Sequence, residues 1–446
     1  MVYDCMNELY SLLSPSVILK LEPKRSVLID LGRNGETRFI NESASIILSS
    51  SDGEKSLSEI GAILAKEYDG SAEDGRNLAE KFLKTSAENG HVLLLKQPAK
   101  KQIRVTGTRE YPTPISASLE VTMRCNLKCR HCYAEAGAPK GRELDTTHMK
   151  GIMDKLKRSG VLRLTFTGGE TLLREDIFEL LEYSSKMFST QLMTNGTLIT
   201  PKIAEKIAGL RVPVQISIDG SKAETHDFIR DVPGSFESAL HGVRMLSKKG
   251  VFVILAMLAT PFNLREIEDT VKLAIGSGAK GFRLGALTTV GRAKDLGWSL
   301  TLEQFEKSQR IMESVHLKYK DKIWIQTGES GITGDEAPHD ESAPAGNCGA
   351  GHLNVAISPE GVVRPCIIGA DSAMEIGNID TMEPEQIWKS AKVKFYSEIK
   401  APNRSICGDC KELVFCNGCF LKGHVSKESG IDCRWHGSEM AGKSMD

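Results

Sequence analysis

No stretch of the sequence holds the roughly 18 apolar residues that a membrane helix needs. An export signal is missing too. Asp4 and Glu8 interrupt any early apolar run, and no basic segment precedes one. Neither sign of charge is in excess. Lys plus Arg number 57 against 58 for Asp plus Glu, so nothing overall asks for nucleic acid or a membrane surface. These absences predict a cytoplasmic protein, in a compartment where thiols stay reduced.

What is present is ample. The chain has 446 residues, 40 % hydrophobic and 26 % charged, which suits two or three globular domains with a large core. It also has 11 cysteines, three at 125–132, seven at 348–433, and Cys5 alone. Clustered cysteines in a reducing compartment read as metal or iron–sulfur ligands before disulfides, and Cys5 as a free thiol.

Residues 1–95 read as a small module. Strands are expected at 17–21, 27–31 and 37–40, helices at 43–49, 56–67 and 73–88, and a closing strand at 92–95. That order suggests a winged-helix type of domain. Residues 96–114 carry Pro98, Gly107, Pro112 and Pro114 and read as a linker. From 115 onward strands at 116–122, 162–167, 189–194, 213–218, 251–259 and 281–287 alternate with helices. Alternation of this kind gives a parallel sheet. Six units predict an α/β partial (β/α)6 TIM-like barrel over 115–325, with a doubly wound sheet as the alternative. Either way the functional loops lie at the C-terminal ends of the strands. A helix is expected at 301–320 and a polar loop at 327–347. The segment 326–446 has little periodic sequence and seven cysteines, so metal is expected to hold it together.

The first barrel strand runs into Cys125, Cys129 and Cys132, spaced C-x3-C-x2-C. Three thiolates on one loop can hold three irons of a cubane and leave the fourth open to a substrate. A zinc site with a fourth ligand from elsewhere is the alternative. Later strand ends add candidates. Gly168 and Gly169 permit close backbone approach, and Glu170 offers a carboxylate to an ammonium group. Thr194-Asn195-Gly196 ends the third strand. Ser217 and Asp219 share a face of the fourth and suit ribose hydroxyls, or helix capping.

These motifs resemble the radical SAM superfamily. The resemblance implies a 4Fe-4S cluster on Cys125, Cys129 and Cys132 that binds S-adenosylmethionine (SAM) at its open iron. It places His131 near the adenine, Glu170 on the SAM amine, and Gly168, Gly169, Asn195, Ser217 and Asp219 around the cofactor. Arg230 becomes a partner for the SAM carboxylate, with a surface ion pair as its plainer alternative. A reducing protein such as flavodoxin or ferredoxin is the expected electron source.

The second cysteine set suits two zinc ribbons poorly, since these need eight ligands and seven are present. It resembles the SPASM extension of radical SAM enzymes that modify peptides and proteins. That resemblance implies two auxiliary 4Fe-4S clusters, one on Cys407, Cys410, Cys416 and Cys433, the other on Cys348, Cys366 and Cys419. The pair Cys416 and Cys419 encloses two residues where the pattern has three. The three-cysteine cluster would complete its fourth iron with water, with His352 or with a substrate thiolate.

Residues 14–95 resemble the leader-peptide recognition domain of ribosomal peptide pathways, the type seen in the pyrroloquinoline quinone chaperone. The matching features are the strand before Phe39-Ile40-Asn41, the turn Asp52-Gly53 and the closing Gly90-x-Val92. Such a domain adds a leader as an edge strand. Together the resemblances imply a maturase that crosslinks a precursor peptide bound through its leader, with a thioether as the expected bond. The same chemistry on a haem-like cofactor or a folded protein is the alternative. A zinc-stabilised peptide-binding scaffold without catalysis is the alternative from another class.

Overall fold

A computed structural model describes residues 8–23, 25–33, 36–138, 141–326, 348–369, 374–411, 413–416, 419–428, 433 and 435. Cys5 and the expected loop at 327–347 lie outside the described residues. The chain forms two compact units that divide at Thr113 and Pro114.

The first unit contains β1 (Tyr10–Leu13), β2 (Val17–Glu22), β3 (Arg25–Asp30), β4 (Glu36–Asn41), α1 (Glu42–Ser50), β5 (Asp52–Ser56), α2 (Leu57–Glu67), α3 (Ala72–Glu88), β6 (Val92–Leu95) and β7 (Val105–Gly107). Each helix starts where the sequence offers a side-chain oxygen. Asn41 caps α1, Ser71 caps α3, and Ser56 with Glu59 forms a capping box on α2. The helices pack Ile47, Leu48, Ile60, Leu64 and Leu83 against Val17, Leu19 and Leu28 of the strands. Two sheets result, β5-β1-β6 and β4-β3-β2-β7. The winged-helix-like order expected from the sequence is present, with three differences, the first being the added strand β1. Asp52-Gly53 opens strand β5 rather than a turn, because β1 offers it an antiparallel partner. Residues 105–107, read as linker, pair with β2 as β7.

The second unit is built on a ten-stranded sheet. Its parallel core is β8 (Ser116–Thr122), β9 (Arg163–Gly168), β10 (Ser189–Thr194), β11 (Val214–Ser217), β12 (Val253–Ala259), β13 (Gly281–Ala286) and β14 (Trp324–Gln326). The crossover helices are α4 (Thr146–Arg158), α5 (Ile177–Ser185), α6 (Pro201–Leu210), α7 (Ala223–Arg230), α8 (Ser235–Lys248), α9 (Ile267–Ser277) and α10 (Leu302–Tyr319). Leu119, Phe166 and Leu192 lie in register across three strands and are fully buried, as parallel strands covered by helices require. Six β/α units form the partial barrel, as the alternation implies, and β14 adds a seventh parallel strand.

The C-terminal segment joins the same sheet. Its strand β15 (Asn354–Ile357) pairs in parallel with β8, and β16 (Val362–Arg364) and β17 (Gly377–Asn378) follow antiparallel. Arg364 forms an ion pair with the buried Glu120 of β8. Lys155 on α4 donates to the carbonyls of Ile379, Asp380 and Met382 at 2.9–3.0 Å. Five short helices follow: α11 (Pro384–Trp388), α12 (Ala391–Glu398), α13 (Arg404–Cys407), α14 (Leu413–Cys416) and α15 (Phe420–Glu428). No described helix is long and apolar enough to cross a membrane.

Candidate active site

The first cysteine loop leaves β8 at its C-terminal end and is fixed mainly through its backbone. Cys125 N–H donates to Gly137 O at 3.1 Å, and Gly137 N–H donates to Met123 O at 2.9 Å. Arg130 N–H reaches Ile229 O on α7 at 3.0 Å. Arg292, just beyond β13, makes three further bonds. Its N–H donates to Cys132 O at 3.0 Å, its Nε to Cys129 O at 2.8 Å and its Nη1 to Ala136 O at 2.9 Å. With the backbone held from behind, Cys125, Cys129 and Cys132 all face a cavity of about 320 Å³. Sequence reasoning missed Arg292; one arginine after a strand end carries no distinguishing pattern.

His131, Gly168, Gly169, Asn195, Ser217 and Arg230 line the same cavity. Gly168 and Gly169 are required by the chain itself as well as by any ligand. A Cβ on Gly168 would overlap the Thr122 carbonyl oxygen, and one on Gly169 that of Arg124. Their absence lets β9 close against the root of the cysteine loop. Asn195 serves the loop too: its Nδ2 donates to Asn126 Oδ1 at 2.8 Å, next to Cys125. Gln215, Met257, Arg283 and Thr288 also line the cavity and escaped the sequence reading.

Glu170 and Asp219 stand behind the lining rather than in it. Glu170 is completely buried. Its Oε1 accepts from Thr194 Oγ1 at 2.6 Å and Leu172 N–H at 3.1 Å, and its Oε2 accepts from Asn195 N–H at 2.7 Å. Burial pushes its pKa up against the pull of these donors. A carboxylate has about four lone-pair positions, so one on Oε2 remains for an ammonium group. Asp219 departs further from the expectation of a ribose contact. It too is completely buried, with Oδ2 at 2.7 Å from Arg230 Nε and 3.3 Å from His131 Nε2. Burial alone would raise its pKa; Arg230 and His131 outweigh that and hold the carboxyl well below the usual range. The alternation of β11 turns Ser217 toward the cavity, but beyond the strand the Asp219 carboxylate is buried against Arg230 and His131.

The second cysteine set separates into parts. The Cys348 side chain hydrogen-bonds Cys419; this contact raises the Cys348 pKa and lowers that of Cys419. Cys366, raised first by burial, also feels the charge of Cys419. These three residues are therefore neighbours, and His352 lies buried on the Cys348 loop. Cys407 ends α13, and Cys410 N–H turns back onto its carbonyl at 3.2 Å. Cys419 N–H donates to Cys416 O at 2.9 Å. Ile367 and Ile368, directly after Cys366, form part of the wall of the first cavity. The ten described cysteines are all free of disulfides. Among the described residues, no three His, Cys, Asp or Glu close tightly enough to hold a single metal ion.

The donor chemistry fits an iron–sulfur cofactor: three thiols share one cavity with a cation, and its depth is walled by apolar Leu127, Leu258, Ile367 and Ile368. Comparison with known proteins agrees. Residues 119–274 match the radical SAM superfamily and residues 348–411 the SPASM iron–sulfur cluster-binding domain. The antilisterial bacteriocin subtilosin biosynthesis protein AlbA of Bacillus subtilis is 31 % identical over 94 % of both chains. An AdoMet-dependent heme synthase of Oleidesulfovibrio alaskensis is 33 % identical over 70 % of this chain and 83 % of its own. Streptococcus suis SuiB bound to its precursor peptide SuiA shares the fold, with a TM-score of 0.66 over 97 % of this chain and all of that one, at 15 % identity. The chain belongs to the radical SAM superfamily, and is an enzyme that binds a 4Fe-4S cluster and SAM and carries a SPASM domain for auxiliary iron–sulfur clusters.

Proposed function

We propose that this enzyme matures a ribosomally made precursor peptide by forming an intrapeptide thioether. The observation that carries the reading is the shared cavity. Its wall joins the Cys125, Cys129 and Cys132 loop to the residues beside Cys366. A radical site and a sulfur-binding site then face one substrate.

In this reading Cys125, Cys129 and Cys132 hold the SAM-binding cluster. Cys348, Cys366 and Cys419 hold the nearer auxiliary cluster, and Cys407, Cys410, Cys416 and Cys433 the other. The reduced cluster with SAM supplies a 5′-deoxyadenosyl radical able to take a hydrogen atom from a substrate carbon. Glu170, held behind the wall by Thr194 and Asn195, would meet the SAM amine with its remaining lone pair only where the cofactor reaches past the lining, with Ser217 and the glycine edge at Gly168–Gly169 beside the cofactor. His131 flanks the adenine. The apolar wall at Leu127, Leu258 and Ile367–Ile368 keeps water from the reacting carbon. Net, one C–H and one S–H bond are replaced by one C–S bond; a hydrogen atom leaves from carbon, and a proton and an electron leave from sulfur. Cys348, Cys366 and Cys419 would hold an auxiliary iron–sulfur cluster, which would supply a thiophilic site for the sulfur and a place for the electron.

The N-terminal unit binds the leader. AlbA, a bacteriocin biosynthesis protein, matches all but about 27 residues of this chain, fewer than the 113 of that unit. The leader raises the effective concentration of a weakly held core. A flavodoxin- or ferredoxin-like protein delivers the electron. Haem synthesis is the second reading, favoured by the match to the heme synthase over 83 % of its length.

The test uses the reconstituted enzyme, SAM, a reductant and a short cysteine-bearing peptide encoded beside its gene. Loss of two hydrogen masses per crosslink is expected, none when Ser replaces the peptide cysteine, and slower reaction without the leader. An unchanged peptide together with conversion of a haem precursor would overturn the reading in favour of the second.

A further inference from the structure

Arg230 ends α7, and its guanidinium is engaged at both ends. Its Nε lies 2.7 Å from Asp219 Oδ2, and its Nη1 donates to Cys129 Sγ at 3.7 Å. The carboxylate that fixes it is anchored from several elements. Leu258 N–H on β12 donates to Asp219 Oδ1 at 3.0 Å, and His131 Nε2 lies 3.3 Å from Oδ2. Around its backbone, Asp219 N–H donates to His226 Nδ1 at 3.1 Å and Asn263 Nδ2 donates to Asp219 O at 3.0 Å. An arginine on the cavity wall is thus held by a carboxylate that no ligand in the cavity reaches.

A partner that only awaited the SAM carboxylate would need no such scaffold aimed at a cysteine sulfur. Burying an ion pair is itself expensive, so the buried contact of Arg230 with Asp219 asks for a role that justifies it. Here the geometry delivers one N–H donor to one cluster-ligand sulfur. Hydrogen bonds to ligand sulfurs are among the factors that set the reduction potentials of iron–sulfur clusters. Such a donor stabilises the reduced cluster, which carries more negative charge, over the oxidised one.

We propose that Arg230, positioned by Asp219, hydrogen-bonds the Cys129 thiolate and raises the reduction potential of the first cluster, independently of SAM. The inference rests on the placement of that cluster at Cys125, Cys129 and Cys132 and not on the identity of the peptide. It also gives the C-terminal end of α7 a reason to meet the cysteine loop at the Arg130–Ile229 bond.

The test is a potentiometric titration of the holoenzyme without SAM. The first cluster's signal is recognised, in a parallel sample, as the component that SAM alters. Arg230→Gln is expected to lower the reduced-to-oxidised ratio of that cluster about tenfold at a fixed potential, or about 59 mV for one electron, leaving the auxiliary signals in place. Arg230→Lys, which keeps the charge and loses the fork, should recover part of the shift. An unchanged SAM-free ratio in Arg230→Gln, with iron content intact, overturns the proposal and leaves Arg230 to SAM alone. Should the variant take up no first cluster, the wild-type enzyme labelled with 15N-arginine decides. Its SAM-free reduced cluster should show hyperfine coupling to an arginine nitrogen, and absence of that coupling overturns the proposal. Neither result depends on peptide turnover, so the failure of this inference and of the peptide reading are separable.

Discussion

Replacing Glu170 by Ala tests whether this carboxylate is part of the framework of the site or only a contact for its cofactor. The side chain is completely buried and accepts from three donors, Thr194 Oγ1, Asn195 N–H and Leu172 N–H. Truncation leaves all three without their acceptor. At roughly 1–2 kcal/mol for each orphaned buried donor, the loss is about 3–6 kcal/mol. Glu170→Gln keeps one oxygen for Thr194 and Leu172, but turns an amide N–H₂ toward the Asn195 N–H at the other position. Its loss should be nearer one orphaned donor, roughly 1–3 kcal/mol. SAM affinity should fall in both variants, since a carboxylate–ammonium bond is worth roughly 1.5–3 kcal/mol, on the order of ten- to hundredfold in Kd. The assay pairs urea midpoints of the two variants and wild type with SAM binding by equilibrium dialysis. Equal midpoints for Ala and wild type would refute the framework role. An unchanged SAM Kd in Glu170→Gln would remove the cofactor contact while leaving the framework role intact.

Three further outcomes follow from other parts of the chain. Replacing Cys125, Cys129 and Cys132 together by Ala should abolish 5′-deoxyadenosine formation under dithionite while the auxiliary irons remain; persistent formation refutes the site. In the first unit, Lys20 and Glu22 are both buried, 3.7 Å apart, and burial lowers the Lys20 pKa and raises that of Glu22. Lys20→Met alone should cost roughly 3–5 kcal/mol by stranding the carboxylate, and adding Glu22→Leu should recover most of it; equal urea midpoints for the single and double variants refute the pairing. Finally, burial pushes His226 down to about 4, so its contribution to stability is full above the unfolded value near 6.5 and is lost as pH falls from there toward 4, by roughly 3 kcal/mol. His226→Gln should flatten that part of the urea-midpoint profile between pH 7.5 and 5, and an unaltered slope refutes the assignment.

The elements that were legible in the sequence are those whose signal is local. The barrel strands read as short segments with an apolar residue at every second position, as Leu164 and Phe166 in β9 or Val214 and Ile216 in β11, and α2, α3 and α10 begin at Ser or Thr caps visible by eye. The strands that escaped are short and depend on remote partners. Strand β15 exists because Asn354 to Ile357 meet Ser116 to Leu119, more than 200 residues earlier. No local period marks such a pairing. Strands β5 and β7 likewise take their conformation from β1 and β2 rather than from their own residues.

The site divides along the same physical line. Cysteine spacing at a strand end is local, and it located the loop that bears the three thiols. Depth is not local. Ser217 and Asp219 have the spacing of one strand face, yet Ser217 lines the cavity and Asp219 turns away from it into a buried cluster with Arg230 and His131. What decides between them is the guanidinium of Arg230 from α7 and the imidazole of His131 from the cysteine loop, brought there by tertiary folding. Glu170 is drawn behind the wall in the same way, by backbone donors of Leu172 and Asn195 that face inward only once β9 and β10 are side by side. A strand-end motif therefore specifies which residues gather at the rim. The division between residues that touch a ligand and residues that fix the ones that do is set by the charges and donors of neighbouring strands, and Arg230 stands at that division, on the wall by position and bound from behind by Asp219.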